Sequence, residues 1–151
     1  MKKICIALDT SPSAEKVAKT GYEYAEAINA EVKLIHVVYD AAAYTYSYDS
    51  IMNYDGFLIQ QNKEIVESLE NESKQFLETT ARFLGEPDLK VEVLEGLAEE
   101  EILRFAEDWK ADLIVLGTHS HSLLENVLLG NVATNIVKHS KIPLLIVPVK
   151  D

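Results

Sequence analysis

Two glycines, thirteen residues apart, bracket the segment of the chain that is best suited to chemistry. Gly117 ends an apolar run, and Gly130 stands before Asn131 and a helical pattern. Backbone N–H groups at a helix N-terminus, helped by the helix dipole, attract anions. The spacing therefore suits a phosphate site, with the Asn131 amide donating to the phosphate. It equally suits an ordinary glycine turn with Asn131 as a helix cap, and the segment alone leaves both interpretations open.

The polar residues between these glycines offer two weaker chemistries. His119 and His121 form an H-x-H pair, with His139 further on, but a zinc site usually has three or four ligands and no CxxC or HExxH motif supports one. Ser120 and Ser122 stand beside the histidines without a G-x-S-x-G elbow. We expect loop histidines that face solvent or phosphate, no protein-held metal and no catalytic residue.

Five short apolar runs, rich in Ile, Val and Leu, predict the strands that position this segment. They cover residues 4–8, 32–38, 89–94, 113–116 and 144–149. Helical patterns lie between them: one from Pro12 with Ser11 as N-cap, one over about 60–84, one over about 98–109, and one after Gly130. Strands that alternate with helices predict crossover connections and a mostly parallel sheet.

The apolar patterns also predict the strand order. Runs 4–8 and 113–116 are continuously apolar, as in strands that are buried on both faces. Run 89–94 alternates apolar and charged residues, which favours an edge strand. We therefore predict a doubly wound sheet with its first and fourth strands adjacent at the centre. Ligands of such sheets bind beyond the carboxyl ends of the strands at the switch point, here at Asp9 and Gly117.

Residues 39–57 follow the second strand and are rich in tyrosine, with small polar residues between the rings. The composition predicts a long loop. Such a loop either covers a ligand or binds a partner, or it is a surface crossover whose rings pack on the helix that follows.

The length and net charge of the chain indicate how many domains it forms and which partners it is expected not to bind. A chain of 151 residues with 48% apolar residues suits one domain with its own core. A net charge of −11 repels phosphate backbones and anionic lipid, so we expect no nucleic-acid or membrane partner. That net charge does not exclude one small anion held by backbone N–H groups.

Two titratable residues lie inside predicted strands. Cys5 is the only cysteine, so an intrachain disulfide is impossible, and we expect a buried, reduced thiol. His36 is expected to be a hydrogen-bonded core histidine. No run approaches the length of a membrane helix, and the five apolar residues before Asp9 are too few for a signal sequence. We therefore expect a cytoplasmic protein.

Taken together, these motifs resemble the universal stress protein family. The family motif is a glycine, two residues, a glycine, nine residues, a glycine and then Ser or Thr. Gly117, Ser120, Gly130 and Asn131 occupy those positions. Further matches are Asp9, the pair His36-Val37, and segments 112–117, 128–130 and 143–147. The resemblance covers essentially the whole chain.

The resemblance implies a five-stranded, doubly wound, Rossmann-like fold of the adenine nucleotide alpha hydrolase type, in one domain over residues 1–151. It also implies a site for ATP, or for ADP or AMP, with Mg²⁺ or Mn²⁺ held through the phosphates. By resemblance Ala7 and Asp9 line the adenosine end, the Val37 backbone meets the adenine edge, and Leu116 packs on the base. The residues implied around the phosphates are Gly117, His119, Ser120, His121, Gly130, Asn131 and Val132.

Three departures from the family pattern affect the phosphate end. Ser120 replaces a glycine, which costs about 1–2 kcal/mol if the loop requires positive φ there. Asn131 replaces Ser or Thr, and His121 stands where the family often has Lys or Arg. Because family members without the motif do not bind ATP, two expectations remain open. The chain is either an ATP-binding universal stress protein or one that acts through dimerisation and protein contacts alone.

The last apolar run, 144–149, is apolar on both faces and would invite pairing with another chain at a sheet edge. The resemblance implies a homodimer through this strand, although Pro143 and Pro148 would also suit a protected edge. The expected role is a nucleotide-responsive stress-response module with an unidentified protein partner. A slow ATPase is a third, less favoured class.

Overall fold

The computed structural model describes residues 1–38, 57–118 and 129–149, with only the backbone described for 57–62. The predicted tyrosine-rich loop therefore falls outside the described residues, apart from Phe57. Within these ranges the strands are β1 (Lys3–Ala7), β2 (Glu31–Val38), β3 (Lys90–Glu95), β4 (Leu113–Gly117) and β5 (Leu144–Val147). The helices are α1 (Ala14–Ala27), α2 (Phe57–Phe83), α3 (Ala98–Trp109) and α4 (Asn131–His139).

The strands form one sheet in the order β3-β2-β1-β4-β5, with every neighbouring pair parallel. This order confirms the prediction that the first and fourth strands are adjacent and that the alternating third strand lies at an edge. The order in which strands are added reverses between β1 and β4, because successive strands are added towards one edge from β1 to β3 and towards the other edge from β4 to β5. A switch point is thereby created at their carboxyl ends.

Each central strand is buried on both faces, as its continuous apolar pattern predicts. Ile4, Ile6 and Leu34 are fully buried in one core with residues of α1 and α2. Cys5 and Ile35 are fully buried in a second core with residues of α3 and α4. The sheet thus lies between two helical layers, which holds the carboxyl ends of its strands in fixed positions.

The predicted start of the first helix was wrong by two residues. α1 begins at Ala14, and its N-cap is Ser13. Ser11 does not cap the helix, because its N–H and its hydroxyl both donate to Oδ1 of Asp9, at 2.9 and 2.5 Å. A short Asp side chain that accepts bonds two residues on forms a local turn, and this turn competes with earlier helix formation.

None of the helices in the described ranges is long and apolar enough to cross a membrane.

Candidate functional site

A cavity of about 470 Å³ opens at the carboxyl ends of β1 and β4. All of the predicted site residues that the structure describes line it: Ala7, Asp9, Val37, Leu116, Gly117, Gly130, Asn131 and Val132. His119, Ser120 and His121, the other three predicted residues, lie outside the described residues. The position inferred from the strand order alone is therefore the position of the cavity.

Three helices begin at this cavity. Ser13 and Ala14 of the α1 start, Ala98 of α3, and Gly130 of the α4 start all line it. In the part of the chain that the structure describes, none of these three starts has a side-chain cap bond. The positive ends of three helix dipoles thus face one space. This local field favours an anion in a protein whose net charge is −11.

The start of α4 differs in detail from the prediction. Gly130 is the N-cap, and Asn131 is the first helical residue with an exposed side chain. The interpretation of Asn131 as the helix cap was wrong, because Gly130 already occupies the extended conformation that a cap requires. The Asn131 amide therefore makes no cap bond to the helix.

The chain on either side of residues 119–128 is held together by main-chain bonds. The Gly130 N–H donates to the Thr118 carbonyl at 2.7 Å, and the Thr118 N–H donates to the Val147 carbonyl at 3.0 Å. The Val149 N–H also donates to the Thr118 hydroxyl at 3.0 Å. The start of α4 is thereby fixed against the ends of β4 and β5.

Gly117 has a packing role at this junction. A Cβ atom on Gly117 would lie 2.8 Å from Cγ2 of Val149 and 3.1 Å from Cγ2 of Val17. Real Cβ atoms essentially never approach another atom that closely, so glycine is required here for close approach of neighbouring side chains. The motif glycine therefore serves the shape of the cavity wall.

Asp9 contributes a half-buried carboxylate to the cavity. Its Oδ1 accepts both bonds from Ser11, whose hydroxyl lies 2.9 Å from that of Ser13. Among the described residues, Oδ2 has no hydrogen-bond partner. An oriented carboxylate with one free oxygen suits a ligand that carries hydroxyl donors.

His36 was expected in the core, and the structure places it half-buried in the cavity wall. The expectation of a hydrogen bond is confirmed, since Nδ1 lies 2.7 Å from the Leu8 carbonyl oxygen. Phe76 of α2 meets the imidazole edge-on, with the ring centroids 6.4 Å apart. The ring is therefore oriented on two sides.

The sequence analysis did not predict that residues of α3 form part of the cavity wall. Ala98 and Ile102 line the cavity, although neither is a residue type that draws attention. The signal was available, because every crossover helix of a parallel sheet begins near the carboxyl ends of the strands. Within the described ranges, no group of three or more His, Cys, Asp or Glu residues could hold a metal ion.

The fold and the site together define a doubly wound α/β protein with an anion-favouring cavity at its switch point. The model of the universal stress protein family matches residues 1–148. The chain therefore belongs to the universal stress protein family.

Two archaeal relatives support this assignment, both from Methanocaldococcus jannaschii. Universal stress protein MJ0531 is 34% identical over 149 residues, covering 97% of this chain and 81% of the relative. Universal stress protein MJ0577 is 30% identical over 156 residues, covering 99% and 96%.

Solved structures show the same fold. The structure of MJ0577 superposes with a TM-score of 0.76 at 28% identity, covering 99% of this chain and 97% of that one. A universal stress protein solved in complex with cAMP has a TM-score of 0.60 at 21% identity, covering 97% and 95%.

Proposed function

We propose that this chain binds an adenine nucleotide in the cavity between β1 and β4, and that it acts as a nucleotide-responsive binding module in the stress response. The observation that carries the proposal is the convergence of three helix starts, none with a side-chain cap, on a cavity lined by the eight described residues that the family resemblance implied. A dedicated enzymatic activity is not part of the proposal, because Ser120 and Ser122 stand beside histidines without a G-x-S-x-G elbow.

The phosphates would lie at the start of α4. Backbone N–H groups of Asn131 and Val132 lie at the positive end of this helix dipole, and the exposed Asn131 amide adds a donor. Asp9 is the one carboxylate among the described residues that line the cavity, and one carboxylate is too few to hold a divalent ion by itself. A Mg²⁺ or Mn²⁺ ion would therefore be carried by the phosphates. When bound, such an ion would neutralise phosphate charge.

The nucleoside would lie towards β1 and β2. Asp9 has a free carboxylate oxygen for a ribose hydroxyl, and Val37 offers its backbone to the adenine edge. Ala7 and Leu116 provide an apolar surface for the base. A universal stress protein of this fold solved with cAMP, which carries adenine and one phosphate, is consistent with this class of ligand. Titration with ATP, ADP and AMP measures how many phosphates the site prefers.

A homodimer through β5 is proposed alongside nucleotide binding. β5 is an edge strand of the apolar sequence LLIV, whereas the opposite edge strand β3 carries Lys90, Glu92 and Glu95. Charged residues discourage edge pairing, so the two edges differ in the way that a dimer through β5 requires. The alternative function, a module that works through dimerisation and protein contacts in the cytoplasm without ATP, rests on this same edge.

The test is calorimetric titration with Mg-ATP, ADP and AMP after copurified nucleotide has been stripped and assayed. Ala98→Phe places an aromatic ring in the cavity wall, and we expect it to weaken ATP binding by about 100-fold through steric exclusion. The matched control is Ala27→Phe, at the exposed far end of α1, which should leave affinity unchanged.

The possible results separate the two functions. Binding that is lost in Ala98→Phe and kept in Ala27→Phe supports the proposed site. Equal affinity in all three proteins would move the ligand elsewhere on the molecule. No heat and no copurified nucleotide in the unmodified chain would favour the alternative, and sedimentation of the same preparations would then measure the dimer on its own.

A further inference from the structure

The hydrogen-bond ladder between β1 and β2 stops at the cavity. Pairing runs from Lys3–Glu31 to Ala7–Ile35, and the last bond joins the Leu8 N–H to the Ile35 carbonyl at 2.9 Å. In a regular parallel ladder the next bond would run from the Val37 N–H to the Leu8 carbonyl. That bond is absent from the described pairing, so the Leu8 carbonyl needs another donor.

His36 supplies the donor. Its Nδ1 lies 2.7 Å from the Leu8 carbonyl oxygen. A carbonyl oxygen only accepts, so Nδ1 carries the proton and donates it. The side chain of His36 thus takes the acceptor that the Val37 N–H would otherwise use.

The backbone of Val37 is left facing the cavity. Along a parallel strand, the N–H and C=O groups of one residue point to one neighbour and those of the next residue point to the other. Val38 faces β3, because its carbonyl accepts from the Gly96 N–H at 3.0 Å. Val37 therefore faces the β1 side, where within the described ranges no backbone group pairs with it. It is half-buried and lines the cavity.

We propose that His36 is the positioning residue for base recognition: by holding the Leu8 carbonyl, it keeps the Val37 peptide groups free for the base. The inference rests on the proposed nucleotide site and deepens it. His36 acts through Val37 and needs no contact of its own with the ligand. Val37 presents a donor and an acceptor on one side, which matches N1 and the N6 amino group of adenine. Hypoxanthine has the reverse pattern, since its O6 accepts and its N1–H donates.

The experiment compares ATP with inosine triphosphate, which differs in this base edge. We expect the unmodified protein to prefer ATP by about tenfold or more, since a mismatched base leaves buried polar groups unpaired. His36→Phe keeps an aromatic ring beside Phe76 but removes the donor, which lets the Val37 N–H close onto Leu8. Its preference for ATP should fall to about threefold or less, with inosine triphosphate affinity nearly unchanged.

Two further variants keep the test decisive if His36→Phe does not fold. In His36→Asn the amide nitrogen can take the place of Nδ1, so the preference for ATP should be rescued. In His36→Gln the amide lies one bond further out, so the preference should be lost. A merely structural role would weaken both nucleotides equally, and equal ATP preference in folded Asn and Gln variants would overturn the proposal.

A ligand-free measurement separates this inference from the proposed function. Amide exchange of Val37, followed by NMR, should be fast in the unmodified protein and slower by about tenfold in His36→Phe, where the bond to Leu8 forms. If neither nucleotide binds the unmodified protein, the proposed function fails, yet the exchange result still tests the role of His36. Unchanged Val37 exchange in folded His36→Phe would overturn that role directly.

Discussion

The two ends of the parallel sheet have depressions of similar volume and opposite chemistry. The cavity at the carboxyl end measures about 470 Å³, and a depression at the amino end, lined by Met1, Lys2, Ile28, Asn29 and Asp112, measures about 450 Å³. At the carboxyl end, Oδ2 of Asp9 and the backbone of Val37 lack partners among the described residues. Volume alone therefore does not distinguish a binding site from a surface depression in this molecule.

At the amino end, Asp112 and the two lysines beside it already have partners. Asp112 accepts from the Lys3 N–H at 2.9 Å and from Lys2 Nζ at 3.1 Å. Lys3 Nζ donates to the Trp109 carbonyl at 3.3 Å and lies 5.4 Å from the centroid of the Trp109 ring. Helix N-termini meet at one end of the sheet and helix C-termini at the other. The two ends thus differ less in volume than in whether their carboxylates and backbone groups already have partners, and this difference favours the carboxyl end as the proposed site.

The largest effect is expected at the carboxyl end, from Gly117→Val. Its Cβ would collide with Val149 and Val17, so we expect a loss of about 3 kcal/mol in the free energy of unfolding. The melting temperature should fall by roughly 10 °C. Urea and thermal unfolding measure both, with Ala27→Val on the exposed end of α1 as the control.

The stability of Gly117→Val shows whether this glycine at the carboxyl end is needed for packing, independently of any contact with a ligand. If the variant were as stable as the unmodified chain, the close approach of Val149 would be wrong, and Gly117 would be free to serve the ligand alone. Loss of nucleotide binding in a destabilised variant would not identify a contact, so Ala98→Phe remains the better probe of the site.

The sequence allowed the fold to be predicted almost completely, because strand patterns are local and burial on two faces is visible in them. The continuous runs around Cys5 and Ile114 and the alternation around Val91 indicated the correct centre and edge. The switch point followed from that order. The cavity at that point is also lined by the eight described residues that the family resemblance implied.

The details that escaped prediction depend on competition between neighbouring groups. Ser11 is a good cap residue by type, but the Asp9 carboxylate accepts its hydroxyl and its N–H. Asn131 is also a good cap residue by type, but Gly130 precedes it in the capping conformation. His36 lies in an apolar strand, and only the end of the β1–β2 ladder reveals why it bonds to Leu8. Such outcomes depend on register and strand ends, which residue types do not encode individually.

The next largest effect concerns Cys5, in the interior between the two ends. Burial first, and then the nearby charge of Glu92, raise the pKa of the thiol from its ordinary value of 9.0 to about 12. The folded pKa lies above the unfolded one, so this stability is fully present below pH 9 and is lost as pH rises towards 12. By pH 10.5 the loss should reach about 2 kcal/mol.

The measurement is the free energy of unfolding in urea at pH 8 and pH 10.5, for the unmodified chain and for Cys5→Ala. The variant should be less stable at pH 8, because it leaves a small cavity. Its stability should nevertheless fall less between the two pH values. The pKa of Tyr22, also raised to about 12 by burial and by Glu86, affects both proteins equally and cancels in the difference. If the unmodified chain and Cys5→Ala lost the same stability between pH 8 and pH 10.5, the interior would tolerate the Cys5 thiolate and the prediction would be wrong.

The smallest effect is expected at the amino end, from Asp112→Asn. The hydrogen bond from the Lys3 backbone, followed by that from Lys2, lowers the pKa of the Asp112 carboxyl below its ordinary value of 3.8. The folded pKa is the lower one, so its stabilisation is present at neutral pH and is lost as pH falls through that folded value. Asp112→Asn should therefore melt slightly below the unmodified chain at pH 7, and the difference should vanish in acid.

The affinity of Asp112→Asn for ATP tests the comparison itself. Asp112 is bonded to Lys2 and to the Lys3 backbone and lies across the full length of the strands from the cavity, so the affinity should equal that of the unmodified chain. A large loss of affinity in this variant, without unfolding, would mean that the amino end takes part in binding. The hydrogen bonds of Asp112 at the amino end would then no longer explain why we expect the ligand at the carboxyl end.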